Sequence, residues 1–448
     1  MTAERAAILF DRYGSDTVSG QSLEPGIDYW FYGDDACVAY QNTGGSWVAV
    51  GGPICEKSGQ AEVMQAFAKA AQDAGKRVRF FAIETSHEGW NSVSIGEQAE
   101  WDPKQWSTAL ASKASLREQL RRAKAKGVRV RKVSRDEISD VESTVHLQVC
   151  RMVRDWQKNQ AMAPMSFLVR LDIFGNPEQK HYFVAEQDNK VVAILVALRI
   201  PARQGWFFED VLRAHDAPNG SIELLFDHAM RSAESGEIEI VSFGLAPLSG
   251  EVSKWLARVR DYSQWLYDFD GLRAFKTKLL PSRWRSIYLS FPEGEKGISA
   301  TIDSLTAFAG GSWIRFGIRT VVHAQPTLIW WLALLLIPWT VLLTATPTGT
   351  WFPSLEIKYA WIGFDLLLCA GLIKLAIHWR RLPAALLAFI CALDASLGAY
   401  QLVHYNQFVL NSIFQWSIAV FTILAPLGAS LILALGALSR HKLYHPLR

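Results

Sequence analysis

Charge is scarce in the last third of the chain. Between Thr327 and Leu438 only seven residues carry one: Glu356, Lys358, Asp365, Lys374, Arg380, Arg381 and Asp394. That excludes a wholly soluble protein. Cysteine is sparse as well. Cys37, Cys55, Cys150, Cys369 and Cys391 include no Cys-x-x-Cys pair, which argues against a disulfide framework; reduced, buried thiols are expected. The sequence has no His-Glu-x-x-His, Walker loop, Gly-x-Ser-x-Gly or dinucleotide fingerprint. Its histidines form no ligand-spaced cluster, so no metal site is expected. A Gln/Arg-x-x-Gly-x-Gly/Ala loop for a CoA pyrophosphate is also absent, which weakens an ordinary acetyltransferase reading. The apolar run Ala6 to Phe10 is too short for a signal h-region, so the soluble part is expected to stay where it is made.

What is present divides unevenly. The chain of 448 residues is 50% hydrophobic and 20% charged, with a formal net charge of +3. Disorder and coiled coil are therefore poor global readings, and the length allows about three domains. Four stretches, near 327–345, 359–377, 383–404 and 414–438, are long and apolar enough to span a bilayer. Arg315 and Arg319 precede the first. His378, Arg380 and Arg381 lie between the second and third, and Arg440, Lys442 and Arg448 follow the fourth. Basic segments alternate with non-basic ones, which predicts both termini on the cytosolic side. Trp330, Trp331, Trp351, Trp361, Trp379 and Trp416 fall near span ends. Asp365 and Asp394 fall inside spans at equal depth, where a lipid-headgroup role is the sharper reading and helix glue, or a protonated carboxyl facing another helix, the plainer one.

The first 300 residues mix strands and helices. Asn42-Thr43-Gly44-Gly45 reads as a hairpin turn. A helix is predicted over 59–73 with Ser58 as N-cap, a basic helix over 115–126, and helical periodicity over 136–158. Two successive α/β units fit an α+β duplication. The expected divisions are 1–130, 131–295, an amphipathic linker at 296–326 that could lie flat on a membrane, and 327–448. Ten Lys/Arg and one acid, Glu118, occupy Lys113 to Arg135. Arg117, Arg121 and Lys124 share a helical face with Lys113. Arg273, Lys276, Lys278, Arg283 and Arg285 form a second basic cluster. Phosphate, of RNA or of an anionic phospholipid, is the natural partner of such density; a solvated helix face is the plainer reading. Trp284 and Phe275 are expected to pack rather than to stack a base.

Ordered motifs carry a resemblance. Phe208-Glu209-Asp210-Val211-Leu212-Arg213 is followed by Ala217-Pro218-Asn219-Gly220 and by Ser242-Phe243-Gly244-Leu245-Ala246-Pro247-Leu248. With Gly51-Gly52-Pro53, Ser94-Ile95-Gly96-Glu97-Gln98-Ala99, Leu116 to Gly127, and Gly271-Leu272-Arg273-x-x-Lys276-x-Lys278, this set resembles the catalytic domain of the phosphatidylglycerol lysyltransferase family, the multiple peptide resistance factors. The resemblance covers about 50–290. It implies tandem GNAT-like domains, here followed by a four-helix transmembrane region, whereas the family commonly places a large membrane domain first. Gly52 stands where the family has Asp, and Trp284-Arg285-Ser286-Ile287-Tyr288 departs from its Trp-Glu-Pro-Arg-Tyr.

The implied activity is transfer of an aminoacyl group, lysyl or alanyl, from charged tRNA to a phosphatidylglycerol hydroxyl at the cytoplasmic membrane. The implied partners are aminoacyl-tRNA, anionic phospholipid and the membrane, with homo-oligomerisation left open and no cofactor. Such an ester is already activated, so orientation, modest base help and oxyanion stabilisation suffice. Asp210 is the expected catalytic group, orienting the ammonium or assisting the hydroxyl. Arg213 is expected to contact phosphate or the oxyanion, or to hold Asp210; a structural Asp–Arg pair is the plainer alternative. Asn219 and Glu223 would line the same cleft, Asn219 serving equally well as an N-cap. Arg273, Lys276 and Lys278 would bind phosphate, and Glu97 is a further substrate-binding candidate. The competing functions are a GNAT-type acyltransferase using acyl-CoA, and a non-enzymatic membrane-anchored RNA- or lipid-binding protein.

Overall fold

Among the described residues, alternating and continuous apolar runs fold into eleven strands. They are β1 Asp28–Tyr32, β2 Ala36–Asn42, β3 Ser46–Val50, β4 Arg77–Ile83, β5 Trp90–Trp101, β6 Arg129–Val133, β7 Lys180–Gln187, β8 Lys190–Ile200, β9 Gly205–Arg213, β10 Ile240–Pro247 and β11 Arg283–Pro292. The computed structural model describes residues 2–160, 162–263 and 268–438. The expected tail cations Arg440, Lys442 and Arg448 lie outside them. Two units divide the chain: 1–159 with 164–313, and 160–163 with 314–448.

In the first unit all eleven strands join one sheet, in the order β1-β2-β3-β4-β11-β5-β10-β9-β8-β7-β6. Only β3/β4 and β9/β10 pair in parallel. The two α/β halves exchange strands. β11, late in the chain, inserts between β4 and β5 and pairs with β5 along its whole length. β6 joins the far edge beside β7, so residue 130 falls within a strand. This is the α+β architecture that the resemblance implied, one mixed sheet with helices.

Helices cover both faces: α1 Thr2–Tyr13, α2 Gln60–Asp73, α3 Trp106–Ser112, α4 Ala114–Ala125, α5 Arg135–Ser139, α6 Thr144–Lys158, α7 Ser221–Ser235, α8 Lys254–Ser263, α9 Phe269–Lys278 and α10 Gly297–Phe308. On one face, Trp101, Phe183, Leu195 and Phe208 pack with Trp106, Leu120 and Phe226 of α3, α4 and α7. On the other, Tyr182, Val184, Ile194 and Leu212 pack with Ile138, Val149 and Val153 of α5 and α6. Phe67 of α2 is fully buried, with the rings of Trp30, Tyr40, Trp47 and Phe80 centred 5.4–5.8 Å away.

Local signals account for some departures from the sequence reading. The periodic run 136–158 is two helices, because Ser143 accepts from His146 N and starts α6 afresh. Ser58 does not cap α2; it lies in a 3-10 turn at Lys57–Gly59. The linker is not one amphipathic piece. α10 buries Ala300, Asp303, Ser304 and Ala307, while Ile298, Ile302 and Leu305 are exposed. Asp303 and Glu295 hold the fully buried Arg79 at 2.9 and 2.5 Å.

The second unit contains α11 Trp313–Ala345 (from Ile314 onward), the single turn α12 Thr348–Trp351, α13 Leu355–Ile377, α14 Arg381–His404 and α15 Ile413–Leu438. Four of these helices are long and apolar enough to cross a membrane. The first begins well before 327, because Pro326 is accommodated inside α11 instead of ending a linker. Leu368, Leu372, Leu387, Ala388 and Leu433 form its core.

Candidate active site

β9 carries the motif segment, and a register shift decides where its side chains go. Val196 of β8 pairs with Asp210 and Ala197 with Phe208, leaving Glu209 as the extra residue of a bulge. Beyond it, alternation resumes. Val211 packs against the α3/α4/α7 core and Leu212 into the α5/α6 core. Asp210 therefore shares the Leu212 face, while the exposed Arg213 points to the Val211 face. The expected Asp210–Arg213 pair does not form, because residues three apart on a strand lie on opposite faces.

Asp210 instead joins a nest of acids. Glu209 Oε2 lies 3.5 Å from Lys180 Nζ, and both side chains are 4% exposed. Lys180 Nζ also donates to the Asp172 carbonyl. Glu24, from the N-terminal segment, is buried with them. Glu24 Oε1, Glu209 Oε2 and Asp210 Oδ2 are shielded from solvent without a hydrogen-bond partner among the described residues. Burial, then the charge of Glu209, pushes Asp210 well above the usual carboxylate range, against the pull of Lys180. Burial and Glu209 likewise push Glu24 up to about 9. Several buried acids thus face one lysine. Burial thus favours the protonated, neutral forms of these acids.

The opposite face of the sheet gathers cations. Glu97 of β5 pairs with Arg273 of α9 at 3.1 Å. The Arg273 guanidinium lies 4.8 Å from the Trp284 ring centre, and its Nε is buried without a hydrogen-bond partner among the described residues. Trp284 and Phe275 pack against the core, as expected. Lys278 Nζ meets Glu223 of α7 at 2.5 Å. Lys113, Ser115, Asp270, Arg273, Thr277 and Lys278 line a shallow cleft of about 660 Å³. It offers phosphate three cations partly balanced by acids. Gly96 in β5 permits the underlying approach: its φ is +144°, and a Cβ there would meet Ala246 O at 2.3 Å.

Lys276 does not belong to that phosphate set. It is 2% exposed, and its Nζ donates to Gly244 O and Leu245 O, both at 2.9 Å. Burial lowers its amine to about 7. The lysine thereby ties α9 to β10 where the β10/β5 register shifts.

The remaining candidates scatter. Asn219 is exposed and is not the N-cap of α7; Gly220 holds that position at φ +95°, close to Gln119 O of α4. On α4, Arg117 donates to the Leu110 and Ala111 carbonyls at the end of α3. Arg121 is paired with Glu118, and Lys124 is exposed. Glu24, Asp172 and Lys180 carry no signal in the sequence, and Glu209 enters there only as part of the Phe208–Arg213 motif. The Glu209-Asp210 doublet after Trp206-Phe207-Phe208 was the one local signal, because adjacent acids are unusual beside a buried apolar run.

Comparison with known proteins adds to this geometry. The model of the family "Phosphatidylglycerol lysyltransferase, C-terminal" matches residues 7–291. A phosphatidylglycerol lysyltransferase of Bacillus subtilis is 24% identical over 326 residues, 69% of this chain and 37% of that protein. The chain thus spans just over a third of that relative's length. A crystal structure assigned to the C-terminal domain of a lysylphosphatidylglycerol synthetase from Agrobacterium fabrum superposes with a TM-score of 0.60 at 23% identity, covering 70% of this chain and 98% of that one. L-PGS from Bacillus licheniformis gives 0.58 at 20% identity, covering 71% and 97%. Both show the same fold.

Proposed function

From the premise that the chain belongs to the phosphatidylglycerol lysyltransferase family, we propose that it transfers an aminoacyl group from charged tRNA to the hydroxyl of phosphatidylglycerol or a related lipid. The observation that carries the reading is the acid nest at Asp210, inside the family-matched region. A buried excess of carboxyl groups over lysine suits the ammonium of an aminoacyl ester and suits a neutral acyl group poorly. The cationic cleft at Lys113, Arg273 and Lys278 supports a phosphate-bearing substrate.

The lipid hydroxyl oxygen attacks the ester carbonyl carbon. The bond from that carbon to the terminal ribose oxygen breaks, and the hydroxyl proton passes to the ribose oxygen. No redox partner or cofactor is needed. Asp210, with Glu209 and Glu24, would hold the ammonium so that the carbonyl is presented in one orientation. Lys276 would fix the β10 backbone at Gly244 and Leu245. Arg213 remains a candidate for a separate phosphate contact on its own face. The four apolar helices imply membrane association, and the loop charges favour cytosolic termini; the proposed lipid substrate would place the chain in the cytoplasmic membrane.

The test is full-length protein in phosphatidylglycerol liposomes, supplied with individually charged tRNAs and followed by lipid chromatography. A ninhydrin-positive lipid that is released by mild base and lost after RNase treatment supports the reading. An amide-linked lipid made with acyl-CoA would replace it with an acyl-CoA transferase. No new lipid would leave a binding protein.

A further inference from the structure

Helices α11, α13, α14 and α15 line a cavity of about 850 Å³ within the second unit. Leu335, Trp339, Leu368, Leu372 and Phe421 give it an apolar wall. Two carboxyl groups line it as well, Asp365 on α13 and Asp394 on α14. Asp365 is only 5% exposed. Among the described residues neither carboxyl has a hydrogen-bond or ion-pair partner, and the charged group that reaches Asp394 is Asp365 itself. Asp365 lies about 18 Å from the end of α13 and Asp394 about 20 Å from the start of α14, at 1.5 Å per residue. The loop joining those ends puts the two acids at one depth.

Acids in an apolar bundle are costly and need a reason. Helix glue requires a donor on a neighbouring helix, and among the described residues none bonds to either carboxyl. A pair sharing a proton would hydrogen-bond to each other, and these do not. A divalent cation wants six or more oxygens, and the described residues contain no group of three or more candidate metal ligands. The volume suits a small organic group. At one end the wall becomes polar, where Trp361 Nε1 donates to Gln401 Oε1 and Gln401 Nε2 donates to Trp351 O. That network satisfies itself and forms a rim, leaving the two carboxyl groups as the unmet chemistry.

We propose that this cavity binds an ammonium-bearing lipid, with Asp365 and Asp394 against the cationic headgroup and the apolar wall against its chains. An aminoacyl lipid, the product of the reaction proposed above, has this chemistry; only that choice of source rests on the functional reading.

The test uses full-length protein stripped of lipid in detergent, with native mass spectrometry to count retained lipids. Three probes are supplied: a dioleoyl lipid with a trimethylammonium headgroup, lysyl-phosphatidylglycerol, and phosphatidylglycerol. Wild type should retain both cationic lipids at least tenfold over phosphatidylglycerol. Asp365→Asn and Asp394→Asn should each weaken that preference, and the double variant should lose it. Asp365→Glu keeps the charge and should restore it, which separates charge from folding. Because every lipid is supplied, the outcome does not depend on whether the protein makes one. Trimethylammonium-lipid binding in a protein that makes no aminoacyl lipid would retain the site and discard the source. Equal retention of all three lipids, or a preference intact in the double variant, overturns the proposal.

Discussion

Replacing Glu24 by Gln should stabilise the protein near neutral pH while slowing transfer. In the folded chain burial, followed by Glu209, raises the Glu24 carboxyl from 4.5 to about 9. Below pH 4.5 it is protonated in both folded and unfolded states. Between 4.5 and 9 the folded protein keeps a proton that the unfolded chain releases. Stability then declines as pH rises, by at most about 1.4 kcal/mol per pH unit. From pH 4.5 to 7.5 the ceiling is about 4 kcal/mol. The neighbouring carboxyl groups share their protons, so the expected gain from Glu24→Gln at pH 7.5 is about 1–3 kcal/mol. The amide keeps the shape and does not titrate. For a unit of this size the melting temperature should rise by about 2 °C per kcal/mol. The assay is thermal unfolding of full-length wild type and variant in one detergent from pH 5 to 8. The difference should be near zero at the acid end and grow with pH, while single-turnover transfer falls. A flat difference, or a variant less stable at pH 7.5, refutes the assignment of a proton-holding nest.

Asp210→Asn should lower single-turnover transfer by about 10²-fold or more while, by the same proton linkage as Glu24→Gln, raising rather than lowering the melting temperature near neutral pH; a normal rate per folded molecule removes Asp210 from the chemistry. Replacing Lys113, Arg273 and Lys278 by Gln should flatten the salt dependence of tRNA binding by about 0.7–0.9 for each phosphate no longer neutralised, whereas Arg121→Gln, already paired with Glu118, should change it little. Asp303→Ala strands the buried Arg79 and should cost about 3–5 kcal/mol of stability in denaturant unfolding; a loss below about 1 kcal/mol would mean that Glu295 alone suffices. A reporter fused after Arg448 should be active only as a cytosolic fusion, and activity on the other side reverses the proposed topology.

Features carried by local spacing are the readable ones. The Asn42–Gly45 turn, the basic helix, the Lys190–Ile200 strand and the four apolar helices each declare themselves within a dozen or two residues. Features made by pairing are not. Nothing between Arg77 and Trp101 announces that β11 will part β4 from β5. The Asp210–Arg213 pair follows from adjacent charges and fails on the geometry of a bulged strand. Glu24 and Lys180 reach Asp210 from distant segments, so only the folded sheet makes them neighbours. Lys276 resembles a surface cation because its motif is basic; α9 turns it inward onto two carbonyls. The equal depth of Asp365 and Asp394, by contrast, follows from helix rise alone.

The exchanged strand also sets a timetable for synthesis. Without Arg283–Pro292, β4 and β5 have open edges toward one another, and the sheet is two pieces. Those edges are backbone donors and acceptors without partners, which invite mispairing. The first membrane helix begins at Trp313, about 20 residues later, an interval of roughly 1–4 s at bacterial rates of elongation. Closure of the sheet and delivery of the chain to the bilayer therefore fall in the same brief window. A ribosome that stalls before Pro292 leaves β4 and β5 unpaired on the sides that β11 would cover, and two sheets where the finished chain has one.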